Sequence, residues 1–378
     1  MPRSARLIID NSEHSADLLY ATRFRAGDPF VFLEIRGRKH LLVTDLEVDR
    51  ARTEADVDAV HRLSLLEKQF RGRRPAKRAP APTLADLVDV FLRAQGVREL
   101  IVPGSMGVEH ADALRKKGYA VRSQPEPFFP ERLVKTPDEI ACIERTQRAT
   151  EESVAAALAV LRQAKVRGGL LVDRQGPITS ERLRAFVERE LLERGCRVSH
   201  TIIAGGRQAA DPHCDGSGPL RPHQAIILDV FPRDATTGYW ADMTRTVVKG
   251  KAPPFLKRMY RAVEDAQTAA LAAVRDGVDG RSVHQAVQDV FREAGFPTRR
   301  RRGHMEGFFH GTGHGVGLEI HETPRFNARP ATIRAGMVMT VEPGLYYPAW
   351  GGVRLEDLVV VTRTGHRNLT RFPKQLEL

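Results

Sequence analysis

The sequence predicts an α+β protein in two parts, a small α/β domain over residues 1–135 and a larger domain over 136–378 in which helices precede strands. Three observations carry this. Short β-rich runs alternate with a helical period before residue 130. A strong helix start stands at Thr136. Beyond it, long helical segments give way to strands separated by glycine turns.

The elements follow in order. Phe30–Ile35 and His40–Thr44 are short β-rich runs, and Gly37 between them suits a hairpin or tight loop. Leu84, Leu87, Val88, Phe91 and Leu92 recur at a helical period, and Gly96 stops that helix. Glu99–Pro103 reads as a buried strand. Together these suggest a mixed sheet with helices on its faces. Thr136 can cap the next helix, Pro137 suits its first position, and Glu139 completes a capping box, so a helix is expected through Leu161. Further helices are expected over 180–194, 254–275 and 282–294. Strands are expected at 225–228, 244–248, 337–341 and 358–361.

Composition narrows the function. The 378 residues carry a formal charge of +12, with 48 arginines against eleven lysines. Arginine spread over a solvated surface explains this more simply than a nucleic-acid surface, so no nucleic acid partner is expected. The basic runs Arg71–Arg78 and Arg299–Arg302 read as exposed loops. No apolar stretch approaches the ~18 residues of a membrane span, and the first ten residues lack a signal-peptide core. Neither a membrane nor a leader is therefore expected. Cys142, Cys196 and Cys214 form neither a disulfide framework nor a CxxC pair, which fits a reducing, cytoplasmic setting.

The chemistry gathers in the second half. Asp229 ends the apolar run 225–228, where a carboxylate is costly unless paired or metal-bound. Asp242 opens the run Met243–Val248 after a turn at Thr236, Thr237 and Gly238, so a hairpin brings the two aspartates to one face. Asp234 in that turn is the rival ligand. The stretch His310–His321 holds three histidines and four glycines. Neutral imidazole is a ligand for Zn, Mn, Co or Fe. Glu342 ends a strand before Pro343-Gly344. Arg354 and Glu356 are two apart and share a strand face, while Asp357 points the other way. Asp229, Asp242, His314, Glu342 and Glu356 make an oxygen-rich set suited to two divalent ions. Without metal, four buried carboxylates repel and their pKa values rise.

These motifs resemble the metallopeptidase family of methionine aminopeptidase, aminopeptidase P and prolidase. The match runs through Asp229, Gly238–Thr246, His310–His314, Thr340–Gly344 and Gly352–Asp357, in the family's order. It implies a pita-bread catalytic domain over 136–378. Tyr20–Phe24, Asp28–Phe30 and Leu133–Ile140 resemble the creatinase-like N-terminal domain of the proline-directed branch. The two aspartates lie 13 positions apart, longer than is common in the family, and the odd spacing preserves their facing relation.

The resemblance implies metal-dependent hydrolysis of Xaa-Pro peptide bonds, by a dipeptidase or an aminopeptidase. It implies Asp229, Asp242, His314, Glu342 and Glu356 as ligands of two divalent ions. Manganese(II) is expected, with cobalt(II) or zinc(II) as alternatives. Glu342 would pass a proton, and His321 would stabilise the tetrahedral intermediate or contact the proline side. His213 and His310 would line the pocket, and Arg354 would orient a carboxylate or tune the acidic network. Arg325 and Arg329 are further candidates for a dipeptide's carboxylate. Phe309, Tyr346, Tyr347 and Trp350 are candidate pocket walls, with core packing the simpler reading. A homodimer acting on proline-containing peptides is implied. The alternatives are a creatinase-like hydrolase and a protein- or nucleic-acid-binding member of the fold.

Overall fold

A computed structural model describes residues 3–72, 81–198, 200–301 and 303–378. The chain divides into two units, Met1–Arg132 and Leu133–Leu378. The break falls three residues before the sequence boundary, ahead of the Thr136 cap. Part of the basic run Arg71–Arg78 lies outside the described residues, as does Arg302.

The first unit is built on a six-stranded mixed sheet in the order Ala59–Arg62, Arg38–Val43, Phe30–Ile35, Arg3–Asp10, Val97–Pro103, Ala120–Gln124. Phe30–Ile35 and Arg38–Val43 pair as an antiparallel hairpin. Arg36 (φ 55°) and Gly37 (φ 74°) make its turn, with both central residues left-handed as a tight hairpin requires. Alternate residues feed opposite faces. Leu7, Ile9, Val31 and Leu33 join one core with Val88 and Leu92 of the helix Leu84–Ala94. Ile8, Phe30 and Phe32 join another with Leu18, Phe24 and Phe128. That period of two is why both faces of these strands read as apolar.

In the second unit, the helix Pro137–Gln163 starts on the expected capping box. Thr136 Oγ accepts from Glu139 N at 3.3 Å, and Glu139 Oε2 accepts from Thr136 N at 2.8 Å. It packs with Ser180–Glu193 against the three-stranded sheet Thr201–Gly205, Ile226–Val230, Met243–Val247. The helices Pro254–Ala273 and Gly280–Glu293 cover strands of a five-stranded sheet and of a hairpin. The sheet runs Glu322–Phe326, Gly313–Gly315, Val338–Val341, Asp357–Val361, His366–Asn368, and the hairpin pairs Gly344–Tyr347 with Gly351–Arg354. The helices therefore seal the apolar sides of the strands. Polar side chains of the opposite sides are left to face one another.

One sequence expectation is corrected here. Arg299–Arg301 is not a loop: it is an exposed strand paired with His304–Glu306, and Arg299 Nε lies 3.2 Å from Glu306. Extended backbone lets successive arginines diverge into solvent, so like charge does not forbid a strand. Tyr347 and Trp350 take the packing reading rather than that of pocket walls. They pack with Phe255, Trp350 stacking on its ring at 5.1 Å and Tyr347 edge-on at 5.7 Å.

Candidate metal centre

The strands Ile226–Val230 and Met243–Val247 pair antiparallel, with Asp229 opposite Thr244. Asp242 stands two residues before Thr244 and so shares its face and that of Asp229. The longer connection thus keeps both aspartates on one side. Asp234 is a turn residue: its Oδ1 accepts from the backbone N–H groups of Thr236 and Thr237, at 2.9 and 2.6 Å. His314 lies in Gly313–Gly315, and Glu342 follows Val338–Val341. Glu356 links the strands Gly351–Arg354 and Asp357–Val361. Asp357 does point away, onto Arg245 Nη2 at 2.9 Å.

One ligand atom from each of Asp242, His314 and Glu356 lies within 4.8 Å of the others, and all three residues are buried. His314 Nε2 is 3.7 Å from Asp242 Oδ2 and 3.4 Å from Glu342 Oε1. Its Nδ1 donates to the Gly315 carbonyl at 3.1 Å, which leaves Nε2 as a free lone pair aimed at the carboxylates. Burial pushes the His314 imidazole down to about 3, so it is neutral, as a ligand must be.

The carboxylates move the other way. Burial, then the neighbouring Glu356, Asp229 and Glu342, holds Asp242 well above the usual range. Burial raises Glu356 similarly and pushes Glu342 up to about 7. Oδ1 of Asp242 and Oε1 of Glu356 are buried and receive no hydrogen bond from a described residue. Buried oxygens without donors are costly, and a cation supplies what they lack. The donor set fits divalent metal.

Asp229 is held differently. Arg354 Nη2 pairs with its Oδ2, and Thr244 Oγ lies 2.8 Å from its Oδ1. The same hydroxyl lies 2.8 Å from Glu356 Oε2 and accepts from Arg354 Nε at 3.2 Å. One hydroxyl proton serves one carboxylate at a time, so Asp229 and Glu356 share a single donor at this point. Arg354 Nη1 also donates to Tyr346 Oη at 3.0 Å. That hydroxyl donates to His310 Nε2 at 2.9 Å, and His310 Nδ1 donates to the Gly311 carbonyl at 2.7 Å. Burial pushes His310 down to about 3, which fixes it as a neutral acceptor.

A cavity of about 660 Å³ opens over this set. All five expected ligands line it, together with His213, His310, His321 and Arg354. His321 packs edge-on against His314, with ring centroids 4.4 Å apart. Of the two arginines after His321, Arg325 lines the cavity and the exposed Arg329 does not. Phe309 lines it, whereas Tyr346 stands behind His310.

Sequence reasoning missed His200, Ile202, Phe231 and Asn327 in the cavity wall. It also missed Thr244 and Arg245. The Arg245 guanidinium donates to the Glu356 carbonyl at 2.6 Å and so fixes that ligand from behind. The Thr244-Arg245-Thr246 run inside a strand was the available signal. Two hydroxyls on one face of a buried strand and a charge on the other need partners.

The sequence pattern of metallopeptidase family M24 matches residues 141–363. An Xaa-Pro dipeptidase of Pyrococcus horikoshii is 27% identical over 316 residues, 82% of this chain and 84% of that protein. The fold is also that of an Xaa-Pro dipeptidase from Bacillus anthracis (TM-score 0.82, 24% identity, 100% of this chain and 95% of that one). An X-Pro aminopeptidase from Thermotoga maritima is similarly alike (TM-score 0.80, 22% identity, 100% and 98%). The expected α+β pita-bread architecture is therefore present.

Proposed function

The chain belongs to metallopeptidase family M24, and from that premise we propose that it hydrolyses Xaa-Pro peptide bonds, with dipeptides as its preferred substrates. One observation carries the reading: Asp242, His314 and Glu356 converge within 4.8 Å at the cavity wall, buried and with oxygens lacking donors. Asp229 and Glu342 complete a set for two divalent ions. Manganese(II) suits four carboxylates and one imidazole better than the sulfur-rich sites of structural zinc. When bound, such ions lower the pKa of a water and polarise a carbonyl.

The chain's own groups supply the rest. Glu342 takes a proton from the attacking water and returns it to the proline nitrogen. His321 donates to the oxygen of the tetrahedral carbon, and His213 and His310 bound the substrate. Arg354 orients Asp229 through its guanidinium. An Xaa-Pro bond has no N–H, so a pocket shaped for the ring can replace that hydrogen bond. Arg325 offers a cation to the free carboxylate of a dipeptide, which favours dipeptidase over aminopeptidase. A homodimer and a cytoplasmic setting belong to the same reading.

The test is hydrolysis of an Xaa-Pro dipeptide and an Xaa-Pro tripeptide under manganese, with metal content measured in parallel. Asp242→Asn, Glu356→Gln and His314→Ala should each lose bound metal and at least ~100-fold in kcat/KM. Arg325→Ala should raise KM for the dipeptide and leave the tripeptide nearly unchanged. Full activity without bound metal sinks the proposal, and preference for the tripeptide sinks its dipeptidase part.

A further inference from the structure

Outside the ligand set, one ion pair is buried more deeply than any function on the surface requires. Lys135 Nζ lies 2.6 Å from Glu322 Oε2, with side chains 2% and 1% exposed. A buried pair of this kind rarely stabilises a fold over apolar side chains of the same shape, so its place matters more than its strength. Glu322 directly follows His321 and opens the strand that carries Arg325. Its other oxygen accepts the backbone N–H groups of Leu318 and Glu319, at 3.1 and 3.4 Å. The loop from His314 to His321 is thus wound around one carboxylate. Gly317 completes the wrap, because a Cβ there would meet Glu322 Oε1 at 2.6 Å.

Lys135 is itself fixed. Its ammonium donates to the Leu133 carbonyl at 3.2 Å, and its N–H donates to the Gly336 carbonyl at 2.9 Å. The helix starting at Pro137 follows at once. We infer that Lys135 and Glu322 are positioning residues, which hold His321 against His314 and over the cavity from a rigid helix start. This rests on the proposed role of His321 in Xaa-Pro hydrolysis. Lysine at 135 neutralises a carboxylate that backbone donors alone would leave charged and buried. A displacement of the loop moves the imidazole and Arg325 together.

The experiment compares Lys135→Met and Lys135→Arg with the wild type, each also in a His321→Ala background, in the manganese-loaded full chain. Lys135→Met should lower kcat about tenfold or more with KM within about twofold, and Lys135→Arg should restore most of it. In the His321→Ala background, Lys135→Met should cost less than about twofold more, because the positioned group is gone. In metal-free protein, the ring resonances of His314 and His321 should shift in Lys135→Met and hold in Lys135→Arg. Should Lys135→Met fail to fold, Lys135→Met/Glu322→Gln leaves no unpaired buried charge and reads the same shifts. Unmoved resonances overturn the inference, as does an equal loss of kcat in both backgrounds. A wild type that cleaves no Xaa-Pro bond sinks the hydrolase reading instead, and the resonances alone then decide the pair's role.

Discussion

Tyr346 lies in the sequence as one of two adjacent tyrosines after a Pro-Gly turn, yet its hydroxyl joins Arg354 to His310. Burial pushes that hydroxyl up to about 12, so it stays a donor at any working pH. Tyr346→Phe leaves a buried imidazole nitrogen and one guanidinium N–H unsatisfied. Such a loss costs about 1–3 kcal/mol, to be read from the urea midpoint at constant m-value, while metal content should stay that of the wild type. A midpoint unmoved by Tyr346→Phe would show that solvent replaces the bond. His314 stood out among three histidines and four glycines in twelve residues, and Asp242 and Glu356 as carboxylates at the edges of apolar strand runs. Tyr346, Thr244 and Lys135 did not, because their partners lie far along the chain. Lys135 meets its carboxylate 187 positions away, and no local pattern encodes such a meeting.

At the scale of elements, the metal centre depends on strands approaching without side chains between them. A Cβ on Gly313 would stand 2.0 Å from the Thr340 carbonyl oxygen. Gly313→Ala must therefore part the strands Gly313–Gly315 and Val338–Val341, the first of which carries His314. Overpacking of this kind costs about 1–3 kcal/mol, and the variant should also bind manganese more weakly than wild type by titration calorimetry. Gly27→Ala is the control: nothing lies within 4 Å of its Cβ, so stability should change by no more than about 0.5 kcal/mol. Equal effects at the two sites would refute the argument from close approach. The helix start at Thr136 was read from its capping box, whereas the helix at Leu84 was read from its apolar period alone, although Thr83 and Asp86 box it in the same way. The strand Arg299–Arg301 was missed because charge repetition outweighs β signal in a composition reading, although extended backbone separates the charges.

For the whole molecule, the surplus of arginine and the acidic centre occupy different places. Arginines pair with acidic neighbours on helix surfaces, as Arg50 does with Glu47 and Glu54 and Arg93 with Asp89. Such exposed pairs contribute little to stability, which fits surface arginine better than a site. The acidic centre, by contrast, couples stability to pH. The buried histidines stay neutral when folded but carry part of a proton each near pH 6.5 when unfolded. That slope is opposite in sign to a raised carboxylate's, and wild type and Glu342→Gln share it, so the difference between the two chains isolates Glu342. Glu342 keeps its proton up to about 7 when folded and loses it near the ordinary carboxylate range when unfolded. At Glu342 the metal-free folded state therefore binds more protons, and this contribution to stability falls as pH rises through 7. From pH 6.5 to 8, Glu342 alone removes about 1 kcal/mol, and Asp242 and Glu356 act in the same direction. A divalent metal takes the deprotonated form of such a set, so its affinity should rise over the same range with protons released on binding. From pH 6.5 to pH 8 the thermal midpoint of the metal-free wild type should thus fall relative to that of Glu342→Gln, with manganese giving the wild type its larger stabilisation at pH 8. A midpoint difference between the two chains that stays constant across this window would mean that Glu342 is already ionised in the folded state, and the burial that raises it would then have to be relieved by solvent reaching the centre.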